Sequence, residues 1–255
     1  MSSSEPLEME ESAQVMKVLA DTFDRVGALV RGGRLAPVLE AIPGAAVEAV
    51  GNAQFSSVTL LQRGSFNSIA PTDERARQAD ELQYTLGSGP CVDAVLEDTT
   101  YCPEDLEHDD RWPVYSRRVV DELGVRSMMS FRLGTMETGV ESGIAGLNLY
   151  SQESRAFDAS DRWTGLLLAT HATALVAAAV NAERADHLQV ALETNREIGA
   201  AIGILMSTRK LSQEAAFAVL RVASQDTNRK LAAVAADVVA TGQLNLSPRA
   251  RGPQD

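Results

Sequence analysis

Apolar positions change their period several times along the chain, and each change marks an element. Between residues 12 and about 29, Val15, Leu19, Phe23 and Val26 recur at three-to-four spacing, which predicts an amphipathic helix. Residues 34–42 predict a second, short helix that ends near Pro43–Gly44. The period then drops toward two. Phe55-Ser56-Ser57-Val58-Thr59-Leu60-Leu61 is partly alternating, and Arg63–Gly64 turns it into Phe66-Asn67-Ser68-Ile69-Ala70, a predicted hairpin. A helix follows over 72–83, then a glycine turn into another helix with Pro90 at its first position. Residues 112–122 read as helix. Residues 125–133 and 143–150 read as strands joined by a polar turn around 137–142. This order predicts an α+β fold, an antiparallel sheet flanked by helices.

Beyond it the chain turns helical for good. Asp158 is placed to cap a helix, with Asp161 near its positive end, and no proline interrupts it before Met206. Leu167, His171, Ala174, Ala178, Asn181, Ala185, Leu188, Leu192, Asn195, Gly199, Ile202 and Met206 alternate steps of four and three, a heptad seam. A helix of about 45 residues would run roughly 65–70 Å. Its first half is expected to pack on the sheet. Its second half is expected to form a parallel dimer along Asn181, Ala185, Leu188, Leu192, Asn195 and Ile202. The alanine-rich seam makes this a weak zipper, and the two asparagines favour one register at some loss of stability.

The last two helices are short. Ser212 is placed as an N-cap, and Ala216, Phe217, Leu220 and Ala223 form one apolar face. Thr227 or Asn228 is expected to start the final helix, Leu231, Val234, Ala235 and Val238 to face inward, and Gly242 to end it. Phe217 is assigned to the core, because a lone aromatic at core spacing is more often core than a platform for stacking bases.

Composition narrows the function classes. A chain of 255 residues has room for two domains. The net charge of −12 argues against a nucleic-acid binder until its distribution is read. Residues 188–255 hold 8 Lys/Arg and 6 Asp/Glu, a net +2, whereas the preceding 187 hold 15 and 29, a net −14. Electrostatics therefore permits RNA binding at the C-terminal end. The N-terminal MSSSEPLEMEESAQ lacks the basic start and apolar core of a signal peptide, which predicts a disordered acidic tail over 1–11 in a cytoplasmic protein. The longest apolar stretch, 166–180, is too short and too interrupted to cross a membrane. Cys91 and Cys102 make neither a disulfide framework nor a zinc set, and His108, His171 and His187 stand far apart, so no metal site is expected. Gly87-Ser88-Gly89-Pro90 lacks the third glycine and preceding strand of a phosphate cradle.

Two resemblances organise these readings. Ala191-Leu192-Glu193, Ile202-Gly203-Ile204-Leu205-Met206, the run SQEAAFAVLR from Ser212 to Arg221, and 223–242 closely resemble the ANTAR domain, a three-helix RNA-binding antitermination module. Leu86-Gly87-Ser88-Gly89-Pro90-Cys91-Val92-Asp93-Ala94, Ile144-Ala145-Gly146-Leu147-Asn148-Leu149-Tyr150 and the later Phe157 resemble bacterial GAF domains, which sense small molecules. The chain thus resembles a GAF–ANTAR transcription antitermination regulator, not an enzyme. The expected layout is a GAF-like sensor at 12–180, an ANTAR-like module at 181–243 and a flexible tail at 244–255. The resemblance implies a dimer that grips two RNA hairpins, no cofactor beyond an unidentified small-molecule ligand, and no membrane partner. Arg196, Arg209, Lys210, Arg221, Arg229 and Lys230 are the expected phosphate and loop contacts, with Asn228 as a base reader. Many ANTAR members have a lysine where this chain has Ile202, so that position is expected to serve packing. Cys91, at a helix start, is the candidate sensor through a lowered thiol pKa. Two rival classes stand beside this reading: a GAF-fold redox enzyme using Cys91 and Cys102, and a protein-interaction regulator without an RNA target.

Overall fold

The computed structural model describes residues 5–138 and 141–244, with side chains over 16–135 and 143–244. Residues 1–4 of the expected acidic tail, 245–255 of the C-terminal tail and the centre of the predicted turn at 139–140 lie outside the described residues. The chain divides into two compact units, one through Arg184 and one from Ala185.

In the first unit, helices α1 (Glu5–Val30) and α2 (Leu35–Ala49) precede strands β1 (Phe55–Gln62) and β2 (Ser65–Ile69). Helices α3 (Glu74–Leu86) and α4 (Pro90–Glu97), a two-residue strand β3 (Thr100–Tyr101) and α5 (Pro113–Leu123) follow. Strands β4 (Ser127–Thr138) and β5 (Glu141–Ser151) complete an antiparallel sheet of order β2-β1-β5-β4-β3. Arg63 and Gly64 both take positive φ, 52° and 75°, the twist a two-residue hairpin turn needs.

Two expectations about α1 and α2 are corrected. Helix α1 begins before residue 12, and α2 continues through Pro43 instead of ending there. A proline inside a helix removes a backbone hydrogen bond and crowds the preceding turn. Here Ile42, Pro43, Ala45, Ala46 and Ala49 are all buried, so burial of the second half of α2 offsets the local loss.

Alternation along the strands sorts side chains onto two faces. One face, with Val58, Leu147, Phe131, Leu149 and Met129, packs in one apolar cluster with Val38 and Ile42 of α2 and with α6 (Ala159–Arg209). Leu168, Ala169, Ala172, Val176 and Ala179 form the buried stripe of α6 in this unit. Gly165 lets the helix approach the sheet, since a Cβ there would lie 2.8 Å from Phe131 Cζ. The start of α6 is closed by a reciprocal cap: Asp158 Oδ1 accepts from Asp161 N at 2.9 Å, and Asp161 Oδ2 accepts from Asp158 N at 3.2 Å.

The heptad seam does not coincide with that buried stripe. Leu167 is 51% exposed, Leu188 66% and Leu192 69%, and Asn181, Ala185 and Asn195 are also exposed. The apolar content of α6 exceeds the sequence expectation: an 18-residue stretch of it is long and apolar enough, by length and composition alone, to cross a membrane. Of that stretch, 44% is buried inside the protein.

In the second unit, the end of α6 packs with α7 (Gln213–Thr227) and α8 (Leu231–Thr241) around Ala201, Leu205, Ala216, Leu220, Ala223, Val234, Ala235 and Val238. Ile202 is partly buried against this core. Ser212 caps α7, its hydroxyl accepting from Ala215 N at 3.2 Å. Asn228 does not start α8. It ends α7 in the left-handed conformation, φ 51°, with Arg229 N donating back to Ser224 O at 3.1 Å, and α8 begins after Lys230. Gly242 closes α8 at φ 72°.

Candidate functional site

The second face of the sheet is built differently from the first. Across β1, β5 and β4 the register sets Phe55, Tyr150 and Met128 in one row, Ser57, Asn148 and Ser130 in the next, and Thr59, Gly146 and Arg132 in the third. The first row packs on Ala76, Ala79 and Leu82 of α3 and Tyr115 and Val119 of α5. The polar rows surround Asp80, which α3 drives into the interior at 0% exposure.

Asp80 is held by neutral groups. Its Oδ2 accepts from Ser68 Oγ at 2.5 Å, and its Oδ1 accepts from Tyr150 OH at 2.5 Å and Asn148 Nδ2 at 3.0 Å. Burial pushes its carboxyl up to about 6, against the downward pull of those hydrogen bonds. Asn148 Nδ2 also lies 2.9 Å from Thr59 Oγ1. That hydroxyl in turn shares a 2.7 Å hydrogen bond with Tyr84 OH and accepts from Cys91 Sγ at 3.1 Å.

Helix α4 closes the cluster through its first turn. Cys91 N donates to Gln83 Oε1 at 2.7 Å. A Cβ at Gly89 would sit 2.4 Å from that same Oε1, so glycine is what admits Gln83. Gly146 plays the matching part on β5, where a Cβ would meet Val95 Cγ2 at 2.9 Å. Three buried polar atoms here, Gln83 Nε2, Asn148 Oδ1 and Ser130 Oγ, have no hydrogen-bond partner among the described residues. An amide donor, an amide acceptor and a hydroxyl thus carry unmet hydrogen-bonding capacity in one interior.

Cys91 belongs to this cluster, but its chemistry differs from the sequence expectation. The thiol is 1% exposed, and burial, seconded by the Asp80 charge, pushes it up to about 12. The helix N-terminus does not offset that desolvation, so the thiol stays protonated. Cys102 is half-buried and also shifted upward, chiefly by burial.

His171 packs its ring against Phe23 at 3.7 Å between centroids, as a packed histidine would. The expectation of no metal-like cluster needs one correction: ligand atoms of Asp105, Glu107 and His108 lie within 4.8 Å of one another. They are engaged already, Asp105 with His108 at 3.0 Å and Glu107 with Arg126.

In the second unit all seven proposed RNA residues are exposed. The fold gathers Arg209 and Lys210 at the α6–α7 loop and Asn228, Arg229 and Lys230 at the α7–α8 loop. Arg221 lies on the open face of α7. Arg196 sits thirteen residues before Arg209 on α6, about 20 Å along the helix axis, and is not gathered with it. Two of the cations have internal partners: Arg229 pairs with Asp237 at 2.5 Å, and Arg209 Nη2 donates to Leu244 O at 3.4 Å. Phe217, expected in the core, is 42% exposed. Of the residues missed from sequence, Ser57, Thr59, Ser68, Ser130, Asn148 and Tyr150 left a faint signal, polar side chains at alternate positions inside strands, whereas Asp80 and Gln83 lie on α3 and left none of that kind.

The family models divide the chain along these lines. A GAF domain model matches residues 35–177 and an ANTAR domain model matches 186–239. No curated protein matches the sequence. Among solved structures, type II free methionine-R-sulfoxide reductase from Thermoplasma acidophilum is similar at 15% identity and TM-score 0.41, over 56% of this chain and 92% of that one. The Neisseria meningitidis free methionine-R-sulfoxide reductase, in complex with its substrate, gives 14% and 0.44 over 66% and 91%. The GAF domain of an Acinetobacter phosphoenolpyruvate-protein phosphotransferase gives 13% and 0.43 over 62% and 92%. The chain belongs to the GAF domain family and carries an ANTAR domain behind it, which makes it a GAF–ANTAR regulator that joins a signal-sensing domain to an RNA-binding antitermination module.

Proposed function

We propose that this protein binds two RNA hairpins as a homodimer and prevents the competing terminator stem from forming, in the cytoplasm, under control of a small molecule held by the GAF domain. The carrying observation is that the ANTAR match at 186–239 coincides with a three-helix unit that exposes cations at both of its loops. Arg209, Lys210, Arg221, Arg229 and Lys230 take phosphates in this reading, Asn228 reads a base, and Arg196 contacts a more distant part of the RNA.

Dimerisation is assigned to the exposed seam from Asn181 through Asn195, where Leu188 and Leu192 are largely exposed among the described residues. An apolar groove of about 380 Å³ between α1 and α6 supports it, because Leu167, His171 and Ala174 of the same seam line that groove. The ligand site is assigned to the polar rows around Asp80. The Asp80 carboxylate takes its hydrogen bonds from Ser68, Asn148 and Tyr150, all neutral, while Arg132 stands in the outer row, so the site offers both a carboxylate and a guanidinium to a polar molecule. Cys91 serves there as a wall of the site. Occupancy would bias the register of the paired α6 helices, and avidity would amplify the change at the RNA.

The test is a titration of the full-length protein with RNA carrying two short-loop hairpins, and with each hairpin alone, across a salt series. A dimeric reader binds the pair at least about a hundredfold more tightly than either single hairpin, with affinity falling as salt rises. Equal affinity for paired and single hairpins, from protein shown to be dimeric, would refute the bivalent grip. Binding only to a protein partner would favour the interaction regulator instead.

A further inference from the structure

Phe217 is the only Phe, Tyr or Trp after Trp163, and apart from the His187 imidazole it is the one aromatic ring the C-terminal unit has for stacking. Its environment sets it apart from its neighbours. Ala216, Leu220 and Ala223 supply the buried face of α7 at 0–1% exposure, with Val219 partly buried, and Phe217 lies outside that cluster. A fold that needed the ring for stability would have turned it inward, as it does Leu205 and Leu220.

What stands beside the ring matters as much as its exposure. Four residues on, one helical turn away, is Arg221, also exposed. The same row continues with Gln213 before and Gln225 after, both exposed. No carboxylate stands in this row; Glu214 and Asp226 of α7 lie beside its two ends in sequence. A flat apolar face, a guanidinium and two amides in line supply a stacking surface, a phosphate contact and hydrogen-bonding edges. A splayed-out base of a single-stranded loop requires those three chemistries.

We propose that Phe217 and Arg221 together clamp one unpaired base of an RNA loop, the ring stacking on the base and the guanidinium holding its phosphate. The clamp rests on the RNA-binding reading above and adds to it a contact that does not depend on charge. Stacking and charge respond differently to salt, which makes the two residues separable. Stacking persists as salt rises, whereas each phosphate contact contributes to the slope of log affinity against log salt, about 0.7 for single-stranded RNA.

The experiment measures the affinity of full-length wild type, Phe217→Leu, Phe217→Tyr and Arg221→Gln for the two-hairpin RNA across a salt series. Circular dichroism melting and sedimentation of each variant accompany it. Phe217→Leu is expected to lose about ten- to hundredfold at every salt concentration with an unchanged slope, as stacking energies imply. Phe217→Tyr should bind like wild type, and Arg221→Gln should flatten the slope by about 0.7. Wild-type affinity in Phe217→Leu overturns the clamp and leaves RNA binding standing. So does a loss that tracks a fall in dimer or in melting temperature, which would make α7 a protein contact. Wild type that binds no RNA overturns both readings together.

Discussion

Truncating Leu220 to alanine is expected to unfold the C-terminal unit while the GAF unit stays folded. Leu220 is fully buried in a core built from three short helical segments. Leucine-to-alanine changes in such positions cost about 2–5 kcal/mol, the lost transfer energy plus the cavity left behind. A unit of this size has little stability in reserve, because small domains bury a smaller share of their surface. Hydrogen exchange would show it directly. Amides of α7 and α8 should lose protection in the variant, those of β1, β4 and β5 should keep theirs, and RNA binding should disappear. Equal loss of protection in the strands would mean that the two units unfold as one, against the division at Arg184–Ala185.

The second large effect concerns the proton on Asp80. Its carboxyl is raised from 3.8 to about 6, so the folded state holds this proton more tightly than the unfolded chain does. The resulting stabilisation is complete below pH about 4 and is lost as pH rises through about 6. A shift of that size corresponds to about 3 kcal/mol. Asp80→Asn keeps the shape, keeps an acceptor for Tyr150 and cannot ionise. Relative to wild type, the variant should therefore gain about 3 kcal/mol between pH 4 and pH 7.5. Urea denaturation of both proteins at several pH values reads the difference directly. Parallel stability curves over that range would show that Asp80 is not the buried titrating group described here.

How far the sequence could be read depended on whether one local rule governed a position. Strands and their hairpin were legible because Val58, Leu60 and the Arg63–Gly64 turn answer to alternation and backbone twist alone. The caps at Asp158 and Ser212 were legible for the same reason. Pro43 misled because tertiary burial overrode a local breaker. Asn228 was misplaced because it suits both a helix start and a left-handed stop, and only the chain's return through Arg229 decides between them. Phe217 followed the apolar spacing of its helix yet fell one position to the side of the buried stripe, an offset of about 100° that a pattern count does not resolve.

The GAF cluster was the least legible part. The LGSGPCVDA motif located α4 and Cys91, but Asp80, Thr59, Asn148 and Tyr150 come from three elements distant in sequence. Only the strand register brings them together. The thiol's raised pKa is likewise a property of its surroundings and not of its place at a helix start.

The closure of α7 bears on how much freedom the α7–α8 loop has to lose. Three residues span it. Asn228 is fixed in a left-handed well, Arg229 is tied to Ser224 through both N–H and C=O, and Lys230 leads directly into α8. Ordering a backbone costs about 1–2 kcal/mol per residue, and here folding has met that cost before any phosphate arrives. In the proposed RNA contact, what would remain is side-chain entropy and the exchange of Asp237 for phosphate at Arg229, one anion for another. If the loop contacts RNA as proposed above, a backbone held this way anchors its cations at fixed spacing, so the distance between phosphates, beyond their number, becomes something it can measure.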